Sequence, residues 1–385
     1  MMRLKSIKYS EFEGTAQQWT LENLSLSEMN LLVGKNASGK SRLLSLILGL
    51  SNHLAGLVGP SLSGNFDAEF AEDGETLRYQ LKYDNKQVSL ERFSIGNEIV
   101  LERGEGGVGS ILTEKMGRKL DFQAPTSEIA ALARRDSIQH SFLERLFSWG
   151  SSVRYYGFGT PLGRETLGVV IEGGKKPNER NPSEVVAIYR QAKKEFGDLF
   201  DQSLVKDMRL LGYDLESLAA APPVSIRWEV MAFPQEPIGL SVKERDLASV
   251  TDQIVMSQGM FRALSLLIQV NYSQMARRSD CILIDDIGEG LDFDRSCSLI
   301  DVLREKAKTS HFQLIMSTND RFVMNRVPLE EWSVIQRTGS FVRVLNYENS
   351  RKLFEEFRFT GLSNFSFLEM DFASGSPAEE AEPDE

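Results

Sequence analysis

Three histidines and two cysteines in 385 residues leave little from which to build a soft-metal centre or a disulfide framework. Cys281 and Cys297 lack the spacing of metal-binding pairs, and His53, His140 and His311 are scattered as surface or structural histidines are. Long apolar runs are missing too. No stretch reaches the roughly 18 residues that a membrane-spanning helix requires. The opening MMRLKSIKYSEFEG lacks the apolar core of a secretion signal. Positive charge is in deficit: 44 lysines and arginines against 55 aspartates and glutamates give a net charge of −11. That argues against broad, nonspecific attraction to nucleic acid while leaving a local basic patch open. What remains is an ordinary globular composition, 41% hydrophobic and 26% charged, with room for a sizeable core. A cytoplasmic protein with no membrane partner is expected.

Along the chain, RLKSIKYSEF alternates like a strand, LLVG is a short apolar strand ending in glycine, and SRLLSLILGLSNHL reads as a helix. Residues 65–123 alternate in runs separated by DG, DNK and GNE, which predicts an antiparallel meander. Residues 126–148 look helical, and SVRYYGFGTPLG looks like a connection. Residues 181–220 read as two helices broken near GYD, and VSIRWEVMAF and IGLSVKE return to strand. From residue 257 helix, strand, helix, strand alternate, as in a parallel sheet covered by helices, and WSVIQRT with SFVRVLNYE closes as a hairpin. The expected division is an N-terminal lobe (1–150), an inserted helical and strand region (151–250), a C-terminal lobe (251–375) and a disordered acidic tail (376–385).

The chemistry is carried by two segments. GKNASGKS, residues 34–41, matches the phosphate-binding loop G-x-x-x-x-G-K-[ST], between an apolar strand and a helix. Gly34 and Gly39 let the backbone curl so that N–H groups of Lys35, Asn36, Ala37, Ser38 and the helix start face phosphate oxygens. The helix dipole favours the anion, Lys40 reaches the β- and γ-phosphates, Ser41 is placed to ligate Mg²⁺, and Arg42 opens the helix beside them. The second segment, ILIDDIGEGLD, drives an apolar strand into two aspartates. Ionised carboxylates at a buried strand end require a positive partner. The Mg²⁺ of a bound nucleotide supplies one for Asp285, and Asp286 stands where a water-positioning carboxylate belongs.

Spacing narrows the class. IGEGLD places Asp292 seven positions beyond Asp285 and resembles the D-loop of ATP-binding cassette (ABC) ATPases. MSQGMFRALSLL resembles their signature, with Ser257 and Gly259 in its serine and second-glycine positions, and LIMSTND ends where the switch histidine stands, here Asn319. Over residues 1–50 and about 250–350 the chain resembles the non-transporter ABC-like ATPases: heads of chromosome-maintenance and break-repair ATPases, RecF, and stand-alone ATPases of bacterial defence and overcoming-lysogenization-defect systems. The resemblance implies an α/β P-loop NTPase of ABC-ATPase head type, its central sheet joined by an antiparallel β subdomain and an inserted helical region. It also implies ATP and Mg²⁺, and a homodimer or higher even oligomer in which Ser257, Gly259 and Asp292 of one copy complete the ATP site of another.

The departures bear on rate. Asp286 is one methylene shorter than the family's glutamate, although RecF also carries an aspartate pair. Asn319 cannot titrate as histidine does. Slow hydrolysis is expected, with Glu289 next in line to position water. No glutamine loop is evident: RYYGFG has no glutamine, and Gln139 has a helical context. Tyr155 and Tyr156 read as packing residues, Arg262 is balanced between a phosphate across a dimer and solvent, and Glu244 and Asp246 read as an exposed turn. Three functions compete. One is an ATP-driven switch that controls an effector protein in trans, in bacterial DNA repair or anti-phage defence. No nuclease motif is evident, and no Toprim domain is expected in the short region after the C-terminal lobe. The second is a RecF-like DNA-binding clamp, which the net charge disfavours. The third is a transporter subunit, which the missing histidine and glutamine disfavour.

Overall fold

The computed structural model describes residues 2–169, 176–226 and 237–372. The strands in chain order are β1 (Arg3–Glu11), β2 (Trp19–Ser25), β3 (Met29–Val33), β4 (Ser63–Glu72), β5 (Glu75–Asp84), β6 (Gln87–Ile95), β7 (Glu98–Arg103), β8 (Val108–Thr113), β9 (Arg118–Gln123), β10 (Val153–Gly157), β11 (Gly168–Val169), β12 (Leu215–Ala221), β13 (Pro237–Glu244), β14 (Thr251–Asp252), β15 (Cys281–Asp285), β16 (Gln313–Ser317), β17 (Trp332–Thr338) and β18 (Phe341–Asn346). The helices are α1 (Lys40–Leu54), α2 (Ala130–Ala133), α3 (Phe142–Ser152), α4 (Val185–Phe196), α5 (Asp198–Leu210), α6 (Gln258–Met275), α7 (Phe293–Thr309), α8 (Arg321–Arg326), α9 (Arg351–Phe359) and α10 (Ser366–Glu369).

Fourteen strands hydrogen-bond into one sheet in the order β10-β15-β16-β3-β17-β18-β2-β1-β4-β5-β6-β7-β8-β9. The first five are parallel, and the run from β2 through β9 is antiparallel. The apolar runs of the parallel strands follow from burial on both faces. Leu31 and Val33 of β3, Ile282 and Ile284 of β15, and Leu314 and Met316 of β16 enter one core with α4 to α7 and α9. The alternate residues Leu32, Leu283 and Ile315 enter a second core with α1 and α3. Helix α1 buries Leu43, Leu44, Ile47, Leu50 and Leu54, a stripe with the helical repeat. No helix among the described residues is long and apolar enough to cross a membrane.

The expected antiparallel meander is present, and it extends the central sheet because β4 pairs along β1. The structure departs from the sequence expectation in three other places. Residues 126–148 are not one helix: α2 and α3 are separated by a turn in which Asp136 Oδ1 accepts from the N–H groups of Ile138 (2.8 Å) and Gln139 (2.7 Å), so Gln139 is not helical. The break between α4 and α5 falls at Gly197, whose φ of 61° and ψ of −143° suit glycine alone, and the expected second helix ends early because Leu215–Ala221 pairs with β13. Finally, Val153–Gly157 is a strand of the central sheet rather than a connection, so the segment 151–250 is not wholly an insertion. Most of VSIRWEVMAF (residues 227–233) and the tail 376–385 lie outside the described residues.

Within the meander, Glu91 and Arg103 form a fully buried ion pair, Nε to Oε2 at 2.9 Å. Glu91 also accepts from the Tyr79 hydroxyl and from the N–H groups of Ala130 and Ala131, so it caps α2. Arg103 donates to the carbonyls of Pro125 and Glu128. Removing one partner strands the other charge in the core. Arg103→Met is expected to lower unfolding stability by about 3–5 kcal/mol, read as a fall in the urea midpoint. A midpoint equal to wild type would show that Glu91 is held by its other donors alone.

Candidate functional site

The carboxyl ends of β3, β15, β16 and β10 converge, the place where open α/β sheets bind ligands. Residues 34–39 leave β3, turn, and enter α1. Gly39 has φ 110° and Ala37 φ 62°, so the loop curls back on itself. A Cβ on Gly34 would lie 2.7 Å from Ser38 Oγ and 2.8 Å from the Ile335 carbonyl oxygen, which requires glycine there. The Lys40 ammonium donates to the carbonyls of Gly34 (2.8 Å) and Lys35 (3.2 Å). Burial lowers its pKa, and the charges of Asp286 and Asp285 oppose that shift. Ser38 Oγ is buried without a hydrogen-bond partner among the described residues. An orphaned hydroxyl and a lysine resting on its own loop's carbonyls fit a phosphate group.

Asp285 is the hub. Ser41 Oγ donates to its Oδ1 at 3.1 Å, Ser317 Oγ donates to the same oxygen, and the Tyr155 hydroxyl donates to Oδ2 at 3.2 Å. The Tyr155 pKa is pushed up to about 12 by burial first and Asp285 second, so the phenol stays a donor. Ser317 Oγ also accepts from the Asp286 N–H at 3.0 Å. Asp286 sits in the left-handed region at φ 54°, a conformation that aspartate tolerates better than most side chains. Its side chain turns to Asn319, whose Nδ2 donates to Oδ1 at 3.2 Å. Glu289 is exposed on the following turn, its carboxylate lying against Gly159.

The remaining residues singled out from the sequence divide between this site and other contacts. Ser257 N-caps α6, its Oγ accepting from the Met260 N–H at 3.3 Å, and Gly259 packs against the Gly290 carbonyl and Leu291. The signature-like and D-loop-like segments therefore touch within one chain. Asp292 caps α7 through the Arg295 N–H (3.0 Å) and ion-pairs with that guanidinium. Arg42 pairs with Glu11 and stacks on Trp19 at 4.2 Å, away from the loop carbonyls that hold Lys40. Lys35 pairs with Asp371 at 2.9 Å, while Asn36 and Ala37 are exposed. Arg262 donates to the carbonyls of Gly159 (2.7 Å), Thr160 (3.1 Å) and Glu289 (3.0 Å). Glu244 accepts from Thr251 Oγ1 at 3.3 Å, and Asp246 is exposed. His53 is buried against Tyr83 (3.1 Å), and His140 pairs with Asp136 (3.0 Å).

Two residues of the cluster were missed from sequence. Tyr156 is the packing residue expected, but Tyr155 faces the site. The aromatic, β-branched run V-R-Y-Y was the available signal for a strand, and a strand sends neighbouring side chains to opposite faces. Ser317 had no sequence signal, since nothing local says which strand will lie beside Asp285.

The fold is that of an SMC head domain. It is similar to an SMC head bound to the C-winged helix domain of ScpA, with TM-score 0.52 and 13% identity, covering 91% of this chain and 99% of the other. It is also similar to the SMC head domain with an extended coiled coil bound to the C-terminal domain of ScpA derived from Pyrococcus furiosus, with TM-score 0.51 and 14% identity, covering 93% and 100%. No family model and no curated protein matches the sequence.

The pKa of Asp286 is raised by burial first, then by Asp285 and Glu289, against the pull of Lys40. The native state then holds this proton to higher pH than the unfolded chain does. Asp286 therefore lowers native stability as pH rises from the ordinary aspartate range through its raised value. Asp286→Asn removes that loss. The nucleotide-free variant is expected to melt above wild type at pH 7, with a smaller difference at pH 4. Equal melting at pH 7 would contradict the repulsion.

Proposed function

We propose that this chain is an ATP-binding and ATP-hydrolysing ABC-like ATPase. Two copies associate through shared ATP sites and act as a nucleotide-gated switch for a partner effector in bacterial DNA repair or anti-phage defence. The observation that carries the ATP reading is the hydrogen bond from Ser41 Oγ to Asp285 Oδ1 at 3.1 Å, between residues 244 positions apart. It brings the last hydroxyl of the phosphate loop to the strand-end aspartate, beside Lys40. In this reading the loop amides and Lys40 bind the β- and γ-phosphates, and Ser41 and Asp285 hold Mg²⁺. When bound, the ion supplies charge neutralisation to the phosphates. Asp286 orients the attacking water, and Asn319 holds Asp286 by its amide. Asparagine has no titrating proton, and aspartate is shorter than glutamate, which supports slow turnover and a long-lived ATP state.

Association rests on the signature-like helix. Ser257 is exposed at the N-terminus of an 18-residue helix, where a dipole and free N–H groups favour an anion. In the proposed dimer that anion is the γ-phosphate held by the other copy, with Gly259 and Asp292 beside it. Partner control is supported by the ScpA domains bound to the two SMC heads, proteins of the same fold.

Lys40→Ala is expected to weaken Mg²⁺-ATP binding about tenfold or more, on the order of 1.5–3 kcal/mol for a charge-assisted contact. Titration of labelled ATP measures it, and equal affinities would remove the phosphate-loop assignment. In single turnover, Asp286→Asn is expected to slow hydrolysis by ~10²–10⁴. A wild-type rate would move the water-positioning role to Glu289.

Light scattering tests assembly. In the Asp286→Asn background, ATP should raise the dimer population, and Ser257→Arg should block that rise while single-copy ATP binding persists. If Ser257→Arg associates and hydrolyses as its parent does, the shared site is wrong. A pulldown from native lysate then separates an effector protein from duplex DNA, the latter returning the clamp reading.

A further inference from the structure

We propose that Tyr155 is a positioning residue for the metal-binding carboxylate: its hydroxyl holds Asp285 Oδ2 so that the Oδ1 edge stays turned toward Ser41. This rests on the ATP and Mg²⁺ reading of the site.

The geometry begins with the strand pairing. β10 runs parallel to β15, with Tyr155 opposite Leu283 and Gly157 opposite Asp285, and the Phe158 N–H donates to the Asp285 carbonyl at 2.8 Å. That pairing fixes the Asp285 backbone from the sheet edge. The alternation of β10 then sends Tyr155 and Tyr156 to opposite faces. Tyr156 enters the apolar core with α4 to α7, whereas Tyr155 packs partly buried against the core of α1 and α3 and extends its oxygen to Asp285. A residue needed only to fill space on that face has no use for a hydroxyl. The 3.2 Å contact on a carboxylate oxygen gives it one.

The two oxygens of Asp285 are served differently. Oδ1 receives Ser41 and Ser317, and Oδ2 receives Tyr155. The Ser41 hydroxyl has lone pairs that would ligate the ion while its proton stays on Asp285 Oδ1. Asp285 keeps Ser317 on one oxygen and Tyr155 on the other, and those two hydroxyls, from the strands on either side of β15, set the carboxylate plane. Without the phenol, Oδ2 is released and the carboxylate can rotate about its terminal bond, whose torsional preference is weak. Groups that orient a ligating carboxylate commonly contribute about 10–100-fold in metal affinity.

The test reads metal dependence of binding. Labelled ATP is titrated onto wild type, Tyr155→Phe and Tyr156→Phe across a Mg²⁺ series and in EDTA, with thermal melting of each nucleotide-free protein as the folding control. Tyr155→Phe should need about tenfold more Mg²⁺ for half-maximal stimulation of ATP affinity, with its affinity in EDTA within about twofold of wild type. Tyr156→Phe, whose hydroxyl lies on the other face, should follow wild type. Three outcomes overturn the Tyr155 role: an unchanged Mg²⁺ requirement in Tyr155→Phe, an equal loss of affinity in EDTA, or an equal shift in Tyr156→Phe. Wild type that binds ATP with no Mg²⁺ dependence, or not at all, overturns the reading of the site itself and this role with it.

Discussion

The Asp285 carboxylate is the point on which the site depends. Four segments distant in sequence meet there: Ser41 from the start of α1, Ser317 from β16, Tyr155 from β10, and Asp285 itself at the end of β15. A buried carboxylate costs several kcal/mol unless hydrogen-bonded or paired, and these three hydroxyls supply the hydrogen bonds. β15 lies between β10 and β16, which puts a hydroxyl-bearing strand on each side of the aspartate.

From that hub the structure reaches outward through arginine and amide clamps. Arg262 ties the loop after β10 to the acidic turn at Glu289. Arg164 holds the Ile254 and Met256 carbonyls, and the buried Gln253 donates to those of Gly163, Arg164 and Thr166. Ser265 Oγ adds a bond to the Leu162 carbonyl. These bonds tie the start of the signature-like helix to the loop leaving β10.

The two departures from the ABC-like pattern, Asp286 and Asn319, also lie on this frame. Asp286 is held at positive φ by the turn that follows β15 and by the Ser317 hydroxyl on its N–H. Burial, and after it the charges of Asp285 and Glu289, raise its pKa. The turn after β15 thus presents a short carboxylate at positive φ, with the Asn319 amide donating to it.

Much of this was legible in residue order because the chemistry is local. GKNASGKS needs its glycines, lysine and serine within eight consecutive positions, and ILIDD carries both its burial and its charges in one strand. The alternation in 65–123 likewise announced strands, since a half-buried strand repeats every two residues. Three things could not be read that way. The meander joins the central sheet because β4 finds β1, a pairing that hydrogen bonds of any sequence can make. Arg262 spends its guanidinium on three carbonyls, and a carbonyl has no sequence signature. Tyr155 faces Asp285 across 130 positions because β10 lies beside β15. By itself the sequence determined the glycine loop between β3 and α1 and the aspartates at the end of β15. Tertiary structure alone decided which hydroxyls surround Asp285, because strand order is set by the packing of whole faces and not by the residues that later meet at the strand ends.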